Sequence, residues 1–343
     1  MNIIDIAKIA GVSTATVSRV INHSGKVKEE TRERIQEVID EYNYVPNAIA
    51  RSLCMKDRFS IGVILPDIKN EFFSDVIQGI TEITEQSIYN ILFFNTDERN
   101  EVEHDYLKVV ASERLKGLLI SPVSDHDEVT AAELKHLEKS GVPVVLIDRN
   151  LEGKQFDGIF VKNFEGAYDG VQALINEGHK KIAIITGPGN SLPGKERLRG
   201  YIKAMEDNGL PVRKEYQVSG NFRIEKAYQQ TGYLLSLPEP PTAVFCVNNL
   251  TSLGCLKYLT EHHLVPGKDI AVMGFDGITA LNIIEYPFSA IERDARMQGR
   301  EAMKLLLKKL DMIKEGENMK GDSRKVYVPY KVCLLYTSPS PRD

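Results

Sequence analysis

Two short helical patterns that meet at a glycine constrain this chain more than any other feature in it. Across residues 3–22, Ile6, Ala7, Ile9 and Ala10 form an apolar stripe at helical spacing, and Val17, Val20 and Ile21 repeat the pattern at i, i+3, i+4. Gly11, between them, accepts turn angles that a Cβ resists. Ala7 is small enough for a close helix crossing, Val12 fills the angle, and Ser13 is suited to cap the helix that follows. The spacing is that of a helix-turn-helix, a motif whose second helix enters a DNA major groove.

The outward face of the second helix carries matching chemistry. With Val17, Val20 and Ile21 turned inward, Thr14, Ala15, Ser18 and Arg19 point outward. Arg19 can fork onto guanine O6 and N7, Thr14 can hydrogen-bond or touch a methyl, and Ala15 offers an apolar contact. Ser13, Thr16 and Asn22 are short polar groups suited to phosphate oxygens. A plain helical hairpin uses the same apolar spacing, but it does not require the glycine, the cap and the polar face to agree at once.

Charge supports a separate head. The formal net charge is −5, yet Lys8, Arg19, Lys26 and Lys28 against Asp5 give residues 1–28 a net +3 and leave −8 for the rest. A basic head on an acidic body suits a small DNA-reading module attached to a part that does not bind DNA. The opening residues lack the basic and apolar regions of a signal peptide, and no apolar run approaches the length of a membrane span. Cys54, Cys246, Cys255 and Cys333 are scattered without zinc-type spacing. A reduced, cytoplasmic protein with no metal and no cofactor is expected.

A third helix is read from Val27 to Ile39, with Ile35, Val38, Ile39 and Tyr42 closing a three-helix core. Pro46 ends this unit and can open a very short helix, 47–53, too short to be stable alone in water. From Ser60 the pattern changes to strand-then-helix units. Apolar runs at 61–65, 91–95, 117–121, 143–148, 182–186, 242–247 and 270–275 read as buried parallel strands. Helical patterns at 73–87, 102–113, 166–177 and 196–208 fall between them, which argues an α/β fold too large for one core and hence two lobes.

Ile4-Asp5-Ile6-Ala7, Gly11-Val12-Ser13, Thr16 through Asn22 and Tyr44 through Leu53 together resemble the lactose-repressor (LacI/GalR) family of bacterial transcription regulators, and the resemblance runs to about Val332. It implies a small all-α helix-turn-helix head on a periplasmic-binding-protein-like core of two Rossmann-like lobes. The implied function is that of a DNA-binding repressor, a homodimer on operator DNA, governed by a small-molecule effector of carbohydrate type and not an enzyme. The head is placed at 1–45 and a hinge at 46–58. The effector and dimerisation domain is placed at 59–332, with an N-lobe of about 59–160 plus 290–320 and a C-lobe of about 161–289 plus 321–332. Crossings between lobes are expected near 158–162, 286–292 and 318–325, and residues 325–332 read as a strand. In the hinge, Leu53 matches the family's minor-groove wedge, with Asn47 and Ala50 beside it on the DNA. Residues 333–343 depart from the family's ending and are read as a non-native tail.

Ligands of open α/β sheets collect beyond the carboxyl ends of the strands. Phe72 and Phe73 follow the first strand, one ring expected in the helix's own core and the other facing a ligand. Asp97 follows the second strand, and Asp148 and Arg149 the fourth; this last pair can bind hydroxyls or pair with each other. The resemblance adds Asn163 on a crossover, Arg197 as the effector-binding arginine, Asn248 and Asp276. Asn249 departs from the family's usual aspartate, and an amide donates where a carboxylate only accepts.

The main enzyme rival is the G-x-x-x-x-G-K spelling of Gly189 to Lys195. Glu196 stands where a P-loop needs Ser or Thr, and Pro193 removes an N–H from the cradle. There is no G-x-S-x-G or H-E-x-x-H motif, and His262 and His263 are adjacent, so a helix would point them apart. His104 and His126 fall in charged segments.

Overall fold

The computed structural model describes residues 2–21, 25–42, 44, 59–316 and 323–334. Asn22, Asn47, Ala50, Leu53 and the hinge at 46–58 lie outside them, as do residues 335–343. Two compact units, 1–58 and 59–343, divide the chain.

The first unit contains helices α1 (Ile3–Ile9), α2 (Thr14–Ile21) and α3 (Glu29–Glu41). Asn2 caps α1 reciprocally: its Oδ1 accepts from the N–H of Ile4 and Asp5, while Asp5 accepts from the Asn2 N–H at 2.9 Å. Gly11 turns the chain at φ +65°, a conformation open to glycine at no steric penalty. The Ser13 Oγ then accepts from the Thr16 N–H at 3.2 Å and starts α2. Ile6, Ala7, Ala10, Val17, Val20, Ile35 and Val38 form the core. Two expected core residues are outside it. Ile9 is 48% exposed because the buried stripe of α1 runs through positions 3, 6, 7 and 10, with Ile9 on its flank. Tyr42 is 45% exposed, since α3 ends at Glu41 and half-buried Tyr44 packs on the core instead.

The second unit holds two six-stranded sheets. The first is built from β1 (Ser60–Leu65), β2 (Asn90–Asn95), β3 (Gly117–Ile120), β4 (Val144–Ile147), β5 (Gly158–Val161) and β11 (Lys325–Val328). Its order is β11-β5-β4-β3-β1-β2, parallel throughout. The second is built from β6 (Ile182–Thr186), β7 (Gln217–Ser219), β8 (Ala243–Cys246), β9 (Ala271–Phe275), β10 (Ser289–Arg293) and β12 (Tyr330–Cys333). Its order is β12-β10-β9-β8-β6-β7, with β12 antiparallel to β10. Strands such as β3, β4 and β8 are buried along their whole length, as strands covered on both faces must be, and therefore read as unbroken apolar runs.

Helices α4 (Glu71–Thr84), α5 (Asn100–Ser112) and α6 (Glu128–Lys139) cover the first sheet, joined by α12 (Ala295–Lys314), which returns from the second. Helices α7 (Asn163–Asn176), α8 (Leu192–Asp207), α9 (Ile224–Leu235), α10 (Asn249–Glu261) and the short α11 (Thr279–Ile283) belong to the second lobe. Among the described residues no helix is long and apolar enough to cross a membrane.

The chain passes between sheets after Val161, after Arg293 and at Pro329. The first passage falls at the edge of the expected 158–162, but the other two lie further along than expected. Residues 289–293 stay in the second sheet, and the expected single strand 325–332 is two strands in different sheets. Pro329 has no N–H to continue a ladder, so β11 ends there and the chain moves to the other lobe. Cys333, read as the first residue of a foreign tail, pairs with Ala290 in β12.

Candidate functional site

On the head, Thr14, Ala15 and Arg19 are exposed on α2, while Thr16 and Ser18 are half-buried. Ser13 is exposed, but its hydroxyl is engaged with Thr16, 2.9 Å from the Thr16 Oγ1. The chain returns past Arg19 at Gly25, φ +73°, where an added Cβ would lie 3.4 Å from the arginine's Cδ. The face therefore offers a threonine hydroxyl and a methyl in the first turn of α2 and an arginine in its last turn, the set needed to read base edges.

In the second unit the strands' carboxyl ends converge on a cleft between the lobes. Asp67, Asn70, Phe72 and Phe73 enter after β1, Glu98 after β2, and Asp148 and Arg149 after β4. From the other lobe come Pro193 and Arg197 after β6, Phe222 and Arg223 after β7, Asn248 and Leu250 after β8, Asp276 after β9, and Arg293 at the end of β10. Glu98, Asp148, Phe222 and Asp276 all have positive φ, at 59°, 65°, 54° and 71°. Left-handed backbone at non-glycine residues is costly and gathers at functional sites.

Three guanidiniums are buried here, each in different company. Arg293 donates to Asp148 at 2.5 Å in the first lobe and to Asp276 at 2.6 Å in the second, and lies 3.9 Å over the Phe72 ring. Burial opposes its charge, but the two carboxylates outweigh that and raise its pKa. Burial likewise opposes ionisation of Asp148, and the charges of Arg293, Arg197 and Arg149 with the Arg293 hydrogen bond together more than offset it, holding the carboxyl below its usual range. Arg149 forks onto Glu98 at 2.6 and 2.8 Å, not onto Asp148. Arg197 donates to Asn163 at 2.9 Å and to the Val247 carbonyl at 2.5 Å, with Phe275 3.6 Å from its guanidinium carbon. Among the described residues it has no ion pair with a carboxylate, and its Nη2 is buried without a hydrogen bond. Burial pulls its pKa down to about 10.

Of the residues singled out in the sequence, Phe72, Phe73, Asp148, Arg149, Arg197, Asn248 and Asp276 line the cleft. Both phenylalanines are buried and both line it, so neither role excludes the other. Asn163 sits one step behind, holding Arg197. Asp97 is not brought to the wall: its side chain is 54% exposed, 3.5 Å from Arg223, and Glu98 faces inward instead. Asp67, Asn70, Pro193, Leu250, Phe222, Arg223 and Arg293 also line the cleft, beyond the residues expected from the sequence. The last three follow or end β7 and β10, short strands with no clear apolar run, so nothing local in the sequence marks their carboxyl ends.

The cleft encloses about 30 Å³ of free space, room for roughly one water. Polar groups of the two lobes close on each other, the Arg197 Nη2 excepted, and any ligand of sugar size must enter by parting the lobes. The P-loop-like segment takes no part in a phosphate cradle. Helix α8 begins at Leu192, and the Lys195 ammonium is bound to Asp125 of the opposite lobe at 2.8 Å.

Residues 58–333 match the profile of periplasmic binding proteins and the sugar binding domain of the LacI family, and residues 2–47 that of bacterial regulatory proteins, lacI family. The HTH-type transcriptional repressor PurR of Vibrio campbellii (strain ATCC BAA-1116) is 35% identical over 308 residues, 89% of this chain and 91% of that protein. PurR of Actinobacillus pleuropneumoniae serotype 3 (strain JL03) is 33% identical over 310 residues, 90% and 91% of the two chains. Among solved structures, the lac repressor dimer bound to operator and the anti-inducer ONPF has a TM-score of 0.81 at 26% identity, over 98% of this chain and 99% of that one. The regulator CelR in complex with cellobiose has a TM-score of 0.70 at 26% identity, over 97% and 98%. The helix-turn-helix head, the two-lobed core and these matches along nearly its whole length make this chain a member of the LacI family of bacterial DNA-binding transcription regulators controlled by small-molecule effectors.

Proposed function

We propose that this protein is a cytoplasmic repressor that binds a near-palindromic operator as a homodimer and answers to a neutral carbohydrate closed between its lobes. The observation that carries the effector class is the balance of the cleft. Arg149, Arg197, Arg223 and Arg293 stand against Asp67, Glu98, Asp148 and Asp276, so the wall has no surplus charge to attract an anion. It alternates donors and acceptors beside phenyl rings, which suits hydroxyls on one edge of a sugar and C–H groups on its face. The Arg197 Nη2, buried without a partner, is a donor awaiting an acceptor.

In this reading Thr14, Ala15, Ser18 and Arg19 read base edges, Ser13, Thr16 and Asn22 hold phosphates, and Leu53, with Asn47 and Ala50, wedges the minor groove from the hinge. Two heads related by a two-fold axis require a two-fold operator. Exposed apolar side chains support the pairing of core domains: Ile88, Leu92 and Phe93 at edge strand β2, and Ile283 and Ile284, 75% and 67% exposed, at α11. The effector acts through its differential affinity for parted and closed lobes.

The test is selection of bound sequences from random duplex DNA, followed by titration of the selected complex with neutral mono- and disaccharides, sugar phosphates and nucleobases. A palindromic site whose occupancy shifts with a neutral sugar is expected. A site without two-fold symmetry would overturn the dimeric reading, and a response confined to phosphates or nucleobases would overturn the effector class.

A further inference from the structure

A second cluster lies away from the effector wall, where loops of both lobes meet. Asp125 and His126 follow β3, Glu152 follows β4, and the Glu152 N–H donates to the Asp125 carbonyl at 2.8 Å. The ligand atoms of these three side chains lie within 4.8 Å of one another. From the second lobe, the Asn190 carbonyl accepts from the Asp125 N–H at 3.0 Å, and Lys195 on α8 inserts its ammonium between Asp125 Oδ2 and His126 Nε2, 2.8 Å from each.

The contacts made by His126 Nε2 conflict. An ammonium only donates and an ionised carboxylate only accepts. The Lys195 ammonium at 2.8 Å demands a lone pair on Nε2, while Glu152 Oε2 at 3.1 Å demands a proton there. Either tautomer satisfies one neighbour and opposes the other. Asp125 adds a second mismatch: its side chain is 1% exposed, and its Oδ1, 3.7 Å from the same Nε2, is buried with no hydrogen-bond partner. A single divalent cation removes both, taking the imidazole lone pair and one oxygen of each carboxylate. Ligand atoms about 2.0–2.2 Å from a tetrahedral ion stand roughly 3.3 Å apart. The observed 3.1 and 3.7 Å bracket that spacing.

We propose that Asp125, His126 and Glu152 form a binding site for a first-row divalent cation of the zinc type, and that the ion and the Lys195 ammonium exclude each other from it. One nitrogen and two oxygen donors suit zinc better than magnesium or calcium, which prefer all-oxygen shells. Because Lys195 comes from the opposite lobe, the ion severs a tie across the cleft mouth. Metal binding and lobe closure then oppose each other, by the same factor in both directions.

The experiment is calorimetric titration of the tag-free full chain, freed of metal, with zinc chloride and separately with magnesium chloride, on the unaltered protein and on His126→Ala and Lys195→Met. Thermal unfolding followed by circular dichroism checks that each variant is folded. Zinc should bind, His126→Ala should weaken it by roughly tenfold or more, and Lys195→Met should tighten it several-fold because the competing cation is gone. Zinc affinity unchanged by His126→Ala, unchanged or reduced by Lys195→Met, or matched by magnesium would each overturn the proposal.

Discussion

Arg197 and Arg293 lie in one cleft, yet removing each should have opposite consequences. Arg293 neutralises Asp148 and Asp276, so Arg293→Met leaves two buried carboxylates without the cation that hydrogen-bonds both. Breaking such an arrangement costs about 3–5 kcal/mol, and urea unfolding should show a loss of that size. Arg197 has no carboxylate of its own among the described residues and holds its charge against burial. Arg197→Met should leave stability unchanged or higher while abolishing the effector's influence on operator binding, the pattern of a residue kept for ligand at the expense of fold. If both variants lost stability equally, Arg197 would be a structural ion like Arg293. Glu103 gives a pH signature of its own. Burial pushes its carboxyl up to about 7, against the pull of hydrogen bonds from Thr130 (2.7 Å) and the Val123 N–H (2.8 Å). The folded protein therefore holds a proton there that the unfolded chain, near 4.5, releases earlier. This contribution is complete below about pH 4.5, declines as pH rises and is gone above about pH 7, with a span on the order of 3 kcal/mol. Glu103→Gln copies the protonated form, its amide donating to Thr130 and its carbonyl accepting from Val123. Unfolding free energies at pH 5 and pH 8 should differ less in this variant than in the parent.

At the scale of elements, the head helices and the strands with unbroken apolar runs were legible because each signal is local. Gly11, Ser13 and the Val17–Val20–Ile21 spacing specify the head, and fully buried strands such as β3, β4 and β8 appear as apolar runs. Strands β5, β7 and β10 were not legible as strands. Strand β7 has three residues with one of them buried, and β5 and β10 lie where the chain changes lobes, each with one partner, β11 or β12, distant in sequence. With them went Phe222, Arg223 and Arg293, whose place in the cleft follows from those strands. Helix pairing was equally hidden. A Cβ at Gly299 on α12 would lie 2.1 Å from the Val76 carbonyl oxygen of α4, and one at Gly79 would lie 2.0 Å from the Arg296 carbonyl oxygen. Backbone meets backbone there, so no side chain can move aside. Gly299→Ala should lower stability by about 1–3 kcal/mol through overpacking, although alanine is the better helix former. A neutral or stabilising result in urea unfolding would mean that the two helices can separate freely.

For the whole molecule, the question is what holds the lobes together before an effector arrives. Arg293 to Asp148, Lys195 to Asp125, and Arg223 to Asp67 and Asp97 are ionic ties between lobes, and another tie is neutral and buried: Asn249 donates its amide to Asn70 Oδ1 at 2.9 Å. That oxygen also accepts from the Phe72 N–H and so caps α4, which fixes the Asn70 amide and prevents it from turning its donor toward residue 249. This is why the departure from aspartate at Asn249 matters. A carboxylate at 249 could still accept from the Leu250 N–H, as the amide does at 2.9 Å, but it would set a buried charge against the Asn70 oxygen. Asn249→Asp should therefore favour parted lobes by about 1–3 kcal/mol, the penalty for a buried acceptor left facing another acceptor. Small-angle scattering of the ligand-free protein should show a larger radius of gyration than the parent, and saturating effector should restore the smaller value. The effector's apparent affinity should fall by the factor that closure has become less favourable, because ligand must supply the closing energy that the Asn249–Asn70 bond now contributes. An unchanged radius together with unchanged affinity would place the control of closure in the ionic ties between the lobes instead.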